Sequence, residues 1–123
     1  MTTRLIIVDD DHNLLKILER KFTTKDFEVD TARDIGEAKD LILKSAYSVA
    51  ILDLGFTHLD FTSGLEMVKY VREKSPDTKI IVYTANDSPQ VKALARSNGA
   101  DLYVLKPVPL EVLLNFVIRL LPE

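Results

Sequence analysis

Apolar residues along this chain alternate between two rhythms: short unbroken runs, and longer stretches spaced three and four positions apart. Leu5-Ile6-Ile7-Val8 is the first unbroken run and reads as a strand buried on both faces. Leu14, Leu15, Leu18 and Phe22, with Ile17, then recur at helical spacing. Asp11 stands before them, where an acidic cap or dipole partner favours a helix start. Phe27, Val29 and Thr31 predict a second, less apolar strand. A helix follows from about Ile35 to Ser45, with Ala38, Leu41 and Ile42 on its inner face. Val49-Ala50-Ile51-Leu52 is the third strand, Lys79 to Thr84 the fourth and Leu102 to Leu105 the fifth. Leu54 to Ser63, with Gly55, Thr57, His58, Asp60 and Thr62, predicts a loop. Leu65, Val68 and Val71 mark a third helix that closes near Ser75-Pro76. Ser88-Pro89 opens a fourth, as a cap followed by proline at the first helical position, and Asn98-Gly99 ends it. The last helix runs from about Leu110 to Leu121.

Strands alternating with helices imply a parallel sheet with right-handed crossovers, an α/β domain without repeat or linker over residues 1–123. The second strand is the most polar and belongs at an edge. The expected order is 2-1-3-4-5, with the switch point of a doubly wound sheet between the first and third strands.

Composition narrows the function. Hydrophobic residues make up 46% of the 123 and charged residues 28%, the balance of a packed globular domain. The formal charge of −3, without a basic block, argues against direct nucleic-acid binding. Two histidines and no cysteine supply no zinc-type ligand set and no disulfide. No apolar run approaches the roughly 20 residues of a membrane helix. Met1-Thr2-Thr3-Arg4 has no signal-peptide layout, so a cytoplasmic protein without membrane contact is expected.

The strand endings carry the candidate chemistry. In a parallel sheet all carboxyl ends point one way, so Asp9-Asp10, Asp53, Thr84 and Lys106 share one rim. Carboxylates gathered there repel one another unless a cation intervenes. Carboxylate oxygen and water suit Mg²⁺, which shares its shell readily with phosphate. A lysine and a hydroxyl beside it serve as phosphate ligands, and a carboxylate nucleophile giving an aspartyl phosphate is known chemistry.

Val8-Asp9-Asp10-Asp11, Leu52-Asp53-Leu54, Thr84-Ala85 and Tyr103-Val104-Leu105-Lys106-Pro107 together resemble the signature of response-regulator receiver domains of two-component signalling, of the chemotaxis-receiver type. The resemblance spans essentially the whole chain and implies a flavodoxin-like receiver fold. It implies that Asp53 is the phosphoacceptor, and that Asp9, Asp10, Asp53 and the backbone carbonyl of Gly55 hold Mg²⁺ or Mn²⁺. Thr84 and Lys106 would contact the phosphoryl group, with Thr84 and Tyr103 forming the conformational switch. The Lys106-Pro107 peptide is expected to be cis. The implied donor is a sensor histidine kinase or a histidine phosphotransfer protein. The implied output is a downstream effector or a homodimer formed through the Val91–Leu121 side, in a phosphorelay. The domain would catalyse only its own phosphorylation and dephosphorylation, and is in that sense not an enzyme.

The chain departs from the family in the loop after Asp53. Thr57 stands where a proline is usual, and Phe61-Thr62-Ser63 separates Asp60 from Gly64 where the family has an Asp-Gly pair. Gly55 and Asn86 occupy the positions the family uses to tune the lifetime of the acyl phosphate. On the last helix, Glu111, Asn115 and Arg119 form one narrow polar stripe, an apolar surplus that a neighbouring helix or a docking partner would cover. Phe116 stands near the arginine of receivers that pair through charged contacts, which argues against that pairing. Two other classes stay open at this point. One is a haloacid-dehalogenase-type phosphatase with Asp9 as nucleophile and Asp11 as its partner, although Asn13 replaces the expected threonine. The other is an interaction module of the same fold that never takes phosphate.

Overall fold

The alternation of strand-like and helix-like segments emerges as ten elements in the computed structural model, which describes residues 3–55 and 62–122. They are β1 Thr3–Val8, α1 His12–Thr23, β2 Phe27–Ala32, α2 Ile35–Lys44, β3 Val49–Leu52, α3 Thr62–Lys74, β4 Lys79–Thr84, α4 Pro89–Asn98, β5 Leu102–Leu105 and α5 Leu110–Leu120. The strands form one parallel sheet in the order β2-β1-β3-β4-β5, as the polarity of β2 and the crossover rule require.

Because side chains alternate across a strand, each central strand supplies two cores. Ile6, Val8, Ala50, Leu52, Ile80 and Val82 pack on α2, α3 and α4. Leu5, Ile7, Val49, Ile51, Ile81 and Tyr83 pack on α1 and α5 on the opposite face. Burial on both faces is why β1, β3 and β4 read as unbroken apolar runs.

The helices begin where their caps place them. Asp11, Asp34 and Ser88 accept from the amides of Leu14, Glu37 and Val91, three residues on in each case. α4 stops at Gly99, whose φ of 124° is open to glycine and strained for other residues.

The structure differs from the sequence expectation in small ways with clear causes. Thr62 and Ser63, expected in the loop, belong to α3; their polar, glycine-flanked composition resembles a turn, but the backbone is already helical. Ser45 caps α2 instead of belonging to it. Ile17 falls between the buried positions Leu15 and Leu18 and is half exposed. Thr57, His58 and Asp60 lie outside the described residues. On α5, Leu113, Leu114 and Val117 are buried, whereas Val112 and Ile118 face outward beside the polar stripe. Among the described residues, no helix is long and apolar enough to cross a membrane.

Candidate functional site

The register of the sheet brings the acidic residues together. Val8 pairs with Leu52 across β1 and β3, so the residues that follow them, Asp9 and Asp53, leave adjacent strands side by side. Both remain anchored: the Asp9 amide donates to the Ala32 carbonyl at 3.1 Å and the Asp53 amide to the Val8 carbonyl at 2.9 Å. Asp9 and Asp53 are buried, with relative exposures of 3% and 8%, whereas Asp10 is exposed. Carboxylate oxygens of all three lie within 4.8 Å of one another.

Neighbouring donors aim these carboxylates. Asp9 Oδ1 accepts from the Asp11 amide at 2.9 Å, at the turn that starts α1. Asp53 Oδ1 accepts from the Gly55 amide at 3.2 Å. Lys106 follows β5, its amide donating to the Thr84 carbonyl at 2.9 Å. Its Nζ reaches Asp9 Oδ2 at 2.6 Å and Asp53 Oδ2 at 3.3 Å, above the ring of Tyr83. The Lys106-Pro107 peptide is cis.

Burial pushes the Asp9 carboxyl above its ordinary value, further than the Lys106 and Asp11 donors pull it back. For Lys106, burial disfavours the charged form, but the hydrogen bond to Asp9 and the charges of Asp53 and Asp9 outweigh it and raise its pKa. One ammonium set against three carboxylates leaves the rim negative. Hard oxygen donors at this spacing fit a divalent cation such as Mg²⁺, with Asp9, Asp10 and Asp53 as the side chains that would hold it. Gly55, two residues after Asp53, is exposed.

Thr84 ends β4 beside this group and is buried; its Oγ1 lies 3.5 Å from the Asn86 amide. The Tyr103 hydroxyl donates to the Asn86 carbonyl at 2.7 Å, so the tyrosine points in toward the β4–α4 connection. Burial, then the charges of Asp87 and Asp53, raise the pKa of Tyr103 and keep its hydroxyl protonated. Every expected side chain of the rim is therefore on one edge of the sheet. Three main-chain participants escaped the sequence, since no side-chain pattern reports them: the Asp11 amide as a donor to Asp9, the Gly55 amide as a donor to Asp53, and the Asn86 carbonyl as the tyrosine's acceptor. His12, beside the acidic trio, is exposed at the start of α1.

A sequence model described as the response regulator receiver domain matches residues 5–118. The response regulator MprA of Mycobacterium sp. (strain KMS) is 36% identical over 114 residues, 93% of this chain and 48% of that protein. The chain thus spans about half the length of the curated relatives it matches. Among solved structures, the response regulator TrrA of Thermotoga maritima in complex with Mg(2+)-BeF has a TM-score of 0.83 at 32% identity, covering 98% of this chain and 100% of that one. A response regulator of Burkholderia pseudomallei, with a phosphorylated aspartic acid and a calcium ion, has a TM-score of 0.84 at 25% identity, covering 91% of this chain and 64% of that one.

Proposed function

Because this chain belongs to the response regulator receiver family of two-component systems, we propose that Asp53 accepts a phosphoryl group from a phosphohistidine and thereby switches the partner preference of the domain. The observation that carries this reading is the placement of Asp53 at the end of β3, within 4.8 Å of Asp9 and Asp10 oxygens and 3.3 Å from the Lys106 ammonium.

In the transfer, one Asp53 oxygen forms a bond to phosphorus as the phosphorus–nitrogen bond to the donor histidine breaks, and the imidazole leaves with its electron pair. Lys106 offsets charge on the phosphoryl oxygens, and the buried Thr84 hydroxyl supplies a further donor. Asp9, Asp10, Asp53 and the Gly55 carbonyl would hold Mg²⁺ or Mn²⁺, which when bound neutralises charge between carboxylate and phosphoryl oxygens. The Mg(2+)-BeF complex of TrrA and the phosphorylated aspartic acid of the Burkholderia protein support this assignment. Water attacking phosphorus later returns the carboxylate and inorganic phosphate. No separate product is turned over, so the domain acts as a switch on itself.

The readout runs through Thr84, Asn86 and Tyr103. Drawing Thr84 toward the phosphoryl group alters the connection that holds the Tyr103 hydroxyl, and with it the α4–β5–α5 side. There a groove of about 360 Å³ is lined by Lys92, Arg96, Tyr103, Leu105, Val112 and Phe116, the place for an effector or a second copy. The donor is a sensor histidine kinase or a histidine phosphotransfer protein, and the setting is the cytoplasm. Residues 1–123 act as one receiver domain.

Intact mass after incubation with acetyl phosphate and Mg²⁺ tests the assignment. One phosphoryl adduct is expected on the wild type and none on Asp53→Asn. An adduct that persists in Asp53→Asn, or that maps to Asp9, would overturn it.

A further inference from the structure

The first turn of α3 presses on the main chain that follows Asp53, and Gly64 is the residue at the contact. A Cβ at Gly64 would stand 2.4 Å from the Leu54 Cα, 2.6 Å from its carbonyl oxygen and 2.9 Å from its carbonyl carbon. These are backbone atoms of a fully buried residue, so they cannot yield as a flexible side chain would. The Leu54 carbonyl carbon is bonded to the Gly55 nitrogen, and the Gly55 N–H donates to Asp53 Oδ1 at 3.2 Å. The peptide unit is planar, so its atoms shift together. One peptide unit therefore lies against Gly64 and also donates to the Asp53 carboxylate.

Resting on the reading of Asp53 as phosphoacceptor, we propose that Gly64 is a positioning residue for Asp53: its missing side chain lets α3 seat the Leu54–Gly55 peptide so that the amide aims the carboxylate. This gives a reason for a poor helix former in the first turn of α3. It also extends to the second oxygen. Asp53 Oδ2 faces the Lys106 ammonium, so a carboxylate that turns to follow a displaced amide loses that geometry too.

A second crowded glycine provides the control. A Cβ at Gly99 would meet Arg72 side-chain atoms at 2.9 to 3.0 Å, and its φ of +124° strains any replacement, but its contacts are at the far end of α4. Gly64→Ala, Gly99→Ala and wild type are compared well below the melting point of the least stable. The readouts are the Gly55 amide resonance and exchange rate in metal-free protein, Mg²⁺ affinity by titration, and the rate of Asp53 labelling by acetyl phosphate. Gly64→Ala is expected to shift the Gly55 amide, speed its exchange, and weaken Mg²⁺ binding and labelling about tenfold, the scale of one hydrogen bond to a charged acceptor. Gly99→Ala is expected to lose stability while all three readouts stay at wild-type values.

Unchanged Gly55 and Mg²⁺ readouts in Gly64→Ala, or equal losses in Gly99→Ala, would overturn the proposal. If Gly64→Ala does not fold, Gly55→Pro removes the donor directly, and wild-type Mg²⁺ affinity and labelling in that variant would overturn it. A wild type that neither binds Mg²⁺ nor takes label defeats the phosphoacceptor reading instead, and the Gly55 amide comparison still decides the role of Gly64.

Discussion

Lys106 and Asp9, 97 positions apart in sequence, meet at 2.6 Å between Nζ and Oδ2. The same ammonium lies 3.3 Å from Asp53, so its closer partner is the carboxylate that follows β1. The Asp9 side chain is almost wholly buried, and the lysine is its principal cation.

Removing that cation strands a buried charge. Lys106→Met is expected to lower stability by roughly 2–3 kcal/mol at neutral pH, measured by urea unfolding. The sign of the pH dependence follows from Asp9, whose carboxyl is already held above its ordinary value by burial. A raised folded-state pKa gives stability present below the unfolded value and lost as pH rises through the folded value. The deficit of Lys106→Met should therefore shrink in acid and grow toward neutral pH.

Asp10 is exposed while Asp9 and Asp53 are buried, so on the proposed reading its substitution tests metal binding apart from folding. Added Mg²⁺ is expected to raise the melting temperature of the wild type, and a chelator to reverse the rise. Asp10→Asn should lose most of that rise, while its metal-free stability stays within about 0.5 kcal/mol of wild type. Scanning calorimetry with and without Mg²⁺ checks both halves.

Tyr47 marks the opposite end of the sheet. Its hydroxyl donates to Asp30 Oδ2 at 2.6 Å, and burial, then that hydrogen bond and the Asp30 charge, push its pKa up to about 12. The unfolded chain releases this proton near 10.0, so stability should fall as pH rises from there toward 12. Tyr47→Phe is expected to cost about 1 kcal/mol at neutral pH. It should also flatten the alkaline fall, in part only, because Tyr103 is held up in the same direction. Urea unfolding across alkaline pH measures the slope.

Arg72 ties the corner where α3, β4 and α4 meet. Its guanidinium donates to the carbonyls of Pro76, Thr78 and Gly99 at 2.7, 3.0 and 2.7 Å, and to Asp101 at 2.9 Å. Arg72→Ala is expected to cost about 2–3 kcal/mol in urea unfolding. Arg72→Lys should recover little, since one ammonium cannot reproduce a planar fork. Amide exchange should quicken at Gly99, Ala100 and Asp101 while the β1–β3 amides stay protected.

Much of this was legible from the chain alone, and the exceptions share a cause. The central strands announce themselves because burial on both faces leaves no polar position between Leu5 and Val8 or between Val49 and Leu52. The strand endings follow from parallel geometry, which is why the sequence alone puts Asp9, Asp53, Thr84 and Lys106 on one rim. What the pattern conceals is whatever the main chain does. The Gly55 and Asp11 amides, the Asn86 carbonyl and the close approach at Gly64 involve backbone groups that every residue carries. Thr62-Ser63-Gly64 resembles a turn for the same reason: polar and small residues serve equally at a helix start pressed against a neighbouring strand end.

The pairing of Val8 with Leu52 also separates two contributions to the site. The separation of the two main chains that carry the acids is inherited from the spacing of hydrogen-bonded strands, roughly 4.8 Å, whereas the aim of the Asp53 carboxylate depends on the residues that follow it. Asp9 and Asp53 are anchored by their own amides to Ala32 and Val8, so the length of the connection between Gly55 and Gly64 does not set their main-chain spacing. A change in the β1–β3 register, by contrast, would carry Asp9 and Asp53 past each other and dismantle the rim at its base.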